Sequence, residues 1–413
     1  MTDQPFEGHR PADPAYRRIT VALFLAGLST FATIYCPQPL LAVLAHDFGI
    51  APGSATLAIS ATTVTLAFSL LVFGPVSDAY GRKPLMIASL VASAAVCLSV
   101  AFVTNWTVLL LLRGLLGFVV AGLPAVAAVY LREEIHARHA GAATGLYIGG
   151  TAIGGLAGRL ISGVLADLFD WRVAMGGIGV VAGLCALVAW YLLPRSRRFE
   201  PTPLRPAELN ATVHRMFFDR GLLLLYSIGF AAMGSYVSVF NATAFRLAVP
   251  PYLLPIGLAS MVYLTSILGS FSSPIAGRVA QRYGYRVMVP VLLGIQLAGV
   301  LITLAEPLPL VVLGLAVINV GFFAAHGTTN AWVTARAALR GRGTGMAGSL
   351  YLSAYYMGSS ICGAVAGVAW SWGRWPAAAA WASALIVLGI LAALGMRRVP
   401  SLAPGSPQPP THP

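Results

Sequence analysis

Apolar residues run through the chain in long windows near 19–45, 54–76, 84–104, 106–130, 144–167 and 172–193, and again near 221–246, 252–275, 287–305, 308–332, 345–370 and 376–396. About 20 apolar residues of helix cross the hydrocarbon core of a bilayer. Each window therefore predicts a spanning helix, twelve in all. Between the two sets of six lies one long polar break, 194–220, rich in Pro and Arg, which predicts a linker. The expected architecture is an all-α polytopic membrane protein of twelve transmembrane helices in two six-helix bundles. Its parts are a tail (1–18), a first bundle (19–193), the linker (194–220), a second bundle (221–398) and a Pro-rich, uncharged, disordered tail (399–413).

Composition agrees. The chain is 58% hydrophobic and only 9% charged, against about 25% charged residues in soluble domains. Too few charges remain to cover a water-facing surface, which excludes a soluble enzyme. The net charge of +13 is explained by where the cations sit. With the N-terminus inside, 21 of the 26 Lys and Arg residues fall in cytoplasmic segments and only Arg172, Arg246 and Arg374 fall in outer loops. Positive residues stay on the cytoplasmic side, so both termini are expected there, with no nucleic-acid partner needed to account for the charge. No small-residue cleavage site follows the first window, so it is read as a retained helix. Cys36, Cys97, Cys185 and Cys362 lie in apolar runs without metal-ligand spacing and are read as packing residues. No metal or cofactor is expected.

The two halves repeat. At an offset of about 203–204 residues, Tyr80-Gly81 answers to Tyr283-Gly284, Gly117-Phe118 to Gly321-Phe322, Leu146-Tyr147 to Leu350-Tyr351, Gly154 to Gly358 and Trp171 to Trp375. Parallel six-helix repeats imply two bundles with a shared binding cavity near the midplane.

After the second window the chain reads Gly74-Pro-Val-Ser-Asp78-Ala-Tyr-Gly81-Arg82-Lys83. This resembles the signature cytoplasmic loop of the major facilitator superfamily, G-x-x-x-D-x-x-G-R-K. Its chemistry suits a gate: Gly74 permits close helix contact, Gly81 a tight turn, and Asp78 caps a helix N-terminus or pairs with arginine. Arg82 and Lys83 stay at the anionic leaflet. In the second-half copy Gln281 replaces the acid. Arg113-Gly114 with Gly117, Glu133-Glu134 with Arg138, and Trp171-Arg172 resemble further elements of the same family. The fifth window, with Gly150, Gly154 and Gly158 as helix-packing glycines, is similar to the glycine-rich motif of its twelve-helix drug:proton antiporter branch. It departs from that motif at Gly155 and Arg159. The overall pattern is similar to arabinose-efflux-permease-like proteins of the bacterial inner membrane. The resemblance implies a multi-pass cytoplasmic-membrane transporter exporting a small organic molecule in exchange for protons. Proton symport or facilitated-diffusion uptake on the same fold is the alternative, and a non-transporting sensor the remote one. Nothing requires more than a monomer.

Polar residues inside the windows mark candidate sites. A lipid-facing arginine at a helix centre costs about 2.5–3.5 kcal/mol on insertion scales, so Arg113 and Arg159 are expected to face the interior. For Arg113 the family implies a part in proton coupling; pairing with backbone carbonyls is the other reading. Arg159 suits an anionic or hydroxyl-rich substrate or interhelical bonding. Asn319, Phe323, His326 and Asn330 share one face at 100° per residue. His326 titrates near neutral pH in water and is a candidate proton carrier. Gln38, Asn241, Tyr351 and Tyr355 complete the cavity candidates. None of the 13 acids lies at the middle of a window. Proton candidates therefore reduce to Asp78, His326 and the peripheral Asp167, with Arg113 implied by the family. No P-loop, G-x-S-x-G or H-E-x-x-H motif is present, which argues against ATP-driven transport and an intramembrane hydrolase.

Overall fold

The computed structural model describes residues 7–197, 199, 201, 206–339 and 344–400. The predicted tail beyond Pro400, and Arg198, Arg205, Arg340 and Arg342 among the counted cations, lie outside the described residues. The helices are α1 Pro14–Tyr35, α2 Leu41–Asp47, α3 Pro52–Ala55, α4 Leu57–Tyr80, α5 Arg82–Val100, α6 Trp106–Val120, α7 Ala127–Glu134, α8 Ala137–Leu168, α9 Trp171–Leu192, α10 Pro206–Phe217, α11 Arg220–Ala248, α12 Ile256–Ser260, α13 Ser266–Tyr283, α14 Tyr285–Ile302, α15 Leu308–Ala338 and α16 Thr344–Gly395. The described residues contain no strand, only an isolated bridge between His9 and Ile135. Among the described residues, ten helical stretches are long and apolar enough to cross a membrane. The last of them breaks at Gly373 and Arg374, where the backbone leaves helical geometry. The predicted fourth window is divided into α6 and α7 by a turn over 121–126.

Large apolar side chains face outward: Trp372 is 90% exposed, Tyr191 88% and Phe102 84%. Water would penalise that surface, whereas lipid does not. Inside, small residues bring helix backbones together, as association in lipid demands. A Cβ at Gly150, Gly154 or Gly158 of α8 would come within 2.3 Å of the Phe24 carbonyl oxygen, 2.1 Å of that of Leu28, and 2.6 Å of the Ala32 Cα in α1. In the second half, a Cβ at Gly358 of α16 would lie 2.1 Å from the Phe230 carbonyl oxygen in α11. The internal repeat is thus a repeat of helix contacts. It also governs turns: Gly81, at φ +103°, joins α4 to α5, and Gly284, at φ +83°, joins α13 to α14, a conformation glycine adopts freely.

The halves meet at the end of the molecule that carries Asp47, which accepts a hydrogen bond from the Trp171 indole at 2.7 Å. There the Asp167 carboxylate of α8 accepts bonds from the Ile256 and Gly257 amides at 2.8 and 2.6 Å. Gly53 approaches Val368, and Gly163 approaches Ser260, so closely that a Cβ on either glycine would lie 3.0 or 2.6 Å from its neighbour. Nearer the centre, Ser60 and Ser360 each donate to the other's carbonyl, at 2.8 and 2.9 Å. The Ser353 hydroxyl donates to the Ala67 carbonyl at 2.6 Å. Among the described residues no hydrogen bond joins the halves at the opposite end, which carries Asp78. Toward that end a 460 Å³ apolar hollow opens between α4, α11 and α16, floored by Tyr226, Phe230 and Met357.

Candidate functional site

The α1 helix stops at Tyr35 because Pro37 and Pro39 follow it, and a 3-10 turn over Gln38–Leu40 replaces the next turn. Pro37 has no N–H, so the Thr33 carbonyl four residues earlier loses its helical donor. Arg113 of α6 supplies one instead. Its guanidinium donates to the carbonyls of Thr33 (2.9 Å), Ile34 (2.5 Å) and Ala58 (2.8 Å), and its side chain is fully buried. Arg113 therefore splices α6 to the broken end of α1 and to α4.

The same break sends Gln38 inward. Its Oε1 accepts from Arg159 Nε at 2.7 Å, and its Nε2 donates to Asn241 Oδ1 at 2.8 Å. The Asn241 Nδ2 donates to the Gly363 carbonyl at 3.3 Å. One relay thus crosses from α8 through the end of α1 to α11 and α16, joining the halves. Arg159 is 6% exposed and also donates from Nη1 to the Gly155 carbonyl at 2.8 Å. The guanidinium carbon lies 4.4 Å from the Tyr35 ring centre and 5.1 Å from that of Tyr263, within cation–π range.

From Tyr263 a wall of rings continues. Tyr263 stacks on Phe240 at 5.5 Å, Phe240 adjoins Tyr236 at 4.6 Å, and Tyr236 stacks on Phe322 at 4.1 Å. Phe322 neighbours Tyr355 at 6.2 Å, and Tyr355 packs on His326 at 4.5 Å. The His326 Nδ1 pairs with the Tyr351 hydroxyl at 2.9 Å. Asn319 is fully bound: it accepts from Tyr236 at 3.1 Å and donates to Thr265 and to the Leu315 carbonyl, both at 2.9 Å. Asn330, further along α15 beyond His326, is half-buried. The structure thus brings Arg159, Gln38 and Asn241 into one bonded set, and His326, Tyr351 and Tyr355 into an adjoining one. Tyr35, Tyr236, Tyr263 and Phe322 went unmarked in the sequence because an aromatic residue in an apolar run counts as apolar.

At the Asp78 end, Arg82 pairs with Asp78 and, at 2.8 Å, with Glu133, and donates to Ser77 at 2.9 Å. Lys83 donates to the Leu193 carbonyl. Asp78 takes the arginine partner and caps no helix among the described residues. Gly74 departs from its expected role: a Cβ there would meet nothing within 4 Å. It precedes Pro75 inside α4, where a Cβ on the preceding residue would clash with the proline ring. Two cations also differ from their expected places in loops. Arg246 lies in the last turn of α11, buried, donating to the carbonyls of Thr303 (2.5 Å) and Ala305 (2.9 Å). Arg336 ends α15 and pairs with Asp219 at 2.7 Å. Both helices run further than their apolar windows, and each cation reaches another helix: Arg246 the carbonyls that follow α14, Arg336 the carboxylate that caps the start of α11. Among the described residues no three His, Cys, Asp or Glu side chains are grouped to hold a metal.

A family model described as Major Facilitator Superfamily matches residues 23–353. The chain belongs to this superfamily. The inner membrane transport protein YnfM of Escherichia coli K12 is 42% identical over 398 residues, covering 96% of this chain and 94% of that protein. An uncharacterized MFS-type transporter of Bacillus subtilis 168, YybF, is 41% identical over 366 residues, covering 89% and 90%. The fold is similar to the crystal structure of a bacterial homologue of the human lysosomal transporter Spinster in an inward-facing, occupied conformation. The TM-score is 0.71 at 16% identity, covering 92% of this chain and 96% of that one. The major facilitator chain is therefore a multi-pass membrane transporter, and its central relay and ring wall lie where its two halves meet.

Proposed function

We propose that this transporter is a secondary active carrier that exports a small organic molecule across the bacterial cytoplasmic membrane in exchange for protons, by alternating access. One observation carries the reading. A buried polar and aromatic site lies between two repeated halves that are bonded together at one end and not at the other. Such a site reaches one side of the membrane at a time. The distribution of Lys and Arg puts the Asp78 end, with Gly74, Gly81, Arg82 and Lys83, in the cytoplasm, so this conformation opens inward. In the return stroke the contacts at Asp167 and Gly53 part, and the segment around Asp78 gathers the halves at the other end. The glycine-rich α8 supports export. Arg113 serves as a splice at the break in α1. The proton passes by Asp78, His326 or Asp167.

The test is transport in everted membrane vesicles with an imposed proton gradient. Accumulation of substrate that collapses on adding a protonophore is the expected result. Accumulation that ignores the gradient removes the exchange, and flux in the opposite sense replaces export with uptake.

A further inference from the structure

Arg159 differs from every other deeply buried arginine among the described residues. Arg113 is held by three carbonyls, Arg246 by carbonyls and the Tyr252 hydroxyl, and Arg82 and Arg336 by carboxylates. A guanidinium carries five N–H donors. Arg159 spends two, on Gln38 and the Gly155 carbonyl. No carboxylate lies within 4 Å of it among the described residues, although its side chain is 6% exposed. The three remaining donors sit on the two terminal nitrogens, between the rings of Tyr35 and Tyr263. The hydroxyls of Tyr35, Tyr263 and Tyr355 likewise make no hydrogen bond among the described residues, while Tyr236 is already bound to Asn319.

A buried charge normally finds an opposite charge. Arg113 and Arg246 have no carboxylate either but are held by three acceptors each, whereas Arg159 has two, and the unspent donors around it point to a missing acceptor. We infer that Arg159 receives the negative group of the transported molecule. The substrate is an aromatic organic anion, a carboxylate bonded by Arg159 and the Tyr35 and Tyr263 hydroxyls, with its ring laid along the wall formed by Tyr236 and Tyr355. An organic cation is excluded from this position by the guanidinium. A neutral amide offers it a weaker acceptor than a charged oxygen does. The inference rests on the transport reading for what becomes of the ligand, and on the geometry around Arg159 for what binds.

The experiment uses the full chain purified in lipid nanodiscs, with benzoate, phenylacetate and indole-3-acetate as probes and benzamide and benzylamine as their uncharged and cationic counterparts. Binding is read by calorimetry. At least one carboxylate should bind at least tenfold more tightly than either counterpart. Arg159→Gln should weaken that binding at least tenfold, Arg159→Lys less, and Tyr263→Phe severalfold. Ligand-free thermal unfolding shows that each variant is folded. Where Arg159→Gln is not, Arg159→Lys and Tyr263→Phe decide. Equal binding of carboxylate and amide overturns the inference, as does binding of no carboxylate, or carboxylate binding indifferent to the substitutions. Counterflow in proteoliposomes separates the two readings. A carboxylate that binds in this pattern but is never moved leaves the anion site standing and overturns the transport reading.

Discussion

Gln38 and Asn241 are hydrogen-bonded at 2.8 Å across the junction of the two halves, 203 residues apart in sequence. The offset equals that of the internal repeat, so corresponding positions of the two halves face each other across the pseudo-symmetry axis. Their bond ties the site around Arg159 to the closed end of the molecule.

Replacing either amide should loosen that end. A net intramolecular hydrogen bond is worth about 1 kcal/mol, which corresponds to about a fivefold change in the balance of the two conformations. Gln38→Ala and Asn241→Ala should each increase labelling of a cysteine placed at Ser260, buried at that end, by roughly that factor, and the double variant should do little more than either alone. Unchanged labelling would show that Gln38 and Asn241 carry no share of the closure.

Asp167 should matter in the same direction. Its carboxylate binds two amides at the start of α12, and charge at such a position contributes about 0.3–1 kcal/mol. Asp167→Asn should raise labelling of the Ser260 cysteine up to severalfold with no loss of folded protein. A fall in labelling would contradict the geometry.

Arg113 should prove a matter of stability. Arg113→Leu strands three buried carbonyls and should cost on the order of 3 kcal/mol, seen as a lower unfolding temperature in detergent and a lower membrane yield. Any protein that does fold should keep the proton dependence of its transport. A variant of normal stability with altered proton dependence would restore Arg113 to the coupling path.

Glycines that look alike in sequence should divide sharply. Gly154→Ala drives a methyl into the Leu28 carbonyl, and overpacking of this kind costs about 1–3 kcal/mol. Gly145→Ala, inside α8 where nothing lies within 4 Å, should stabilise by about 0.5–1 kcal/mol, because alanine is the better helix former. Thermal unfolding of the two variants side by side checks this.

Much of the fold could be read from the chain, because a bilayer imposes a length and a polarity on every crossing helix. The helices α4, α5, α8, α9 and α11 overlap the apolar windows closely. Helix ends were harder. Arg246 and Arg336 look like loop residues to a hydropathy count, yet each lies in the last turn of a helix and binds a carbonyl or carboxylate of a neighbouring one. The site was legible in pieces. Arg159, Gln38 and Asn241 each stand out as polar residues in apolar surroundings, but that they bond in series depends on the break at Pro37 and on how the halves meet. The ring wall was legible only at His326 and Tyr355, since Tyr236 and Tyr263 count as apolar residues within apolar runs.

The paired bonds of Ser60 and Ser360 have a consequence for movement. Each serine does for its partner what the partner does for it, so the contact has no built-in lean. On the proposed alternating-access reading it serves as a pivot on which the molecule rolls either way, with the resting posture decided further out, at the rims, by whichever set of polar clasps is fastened.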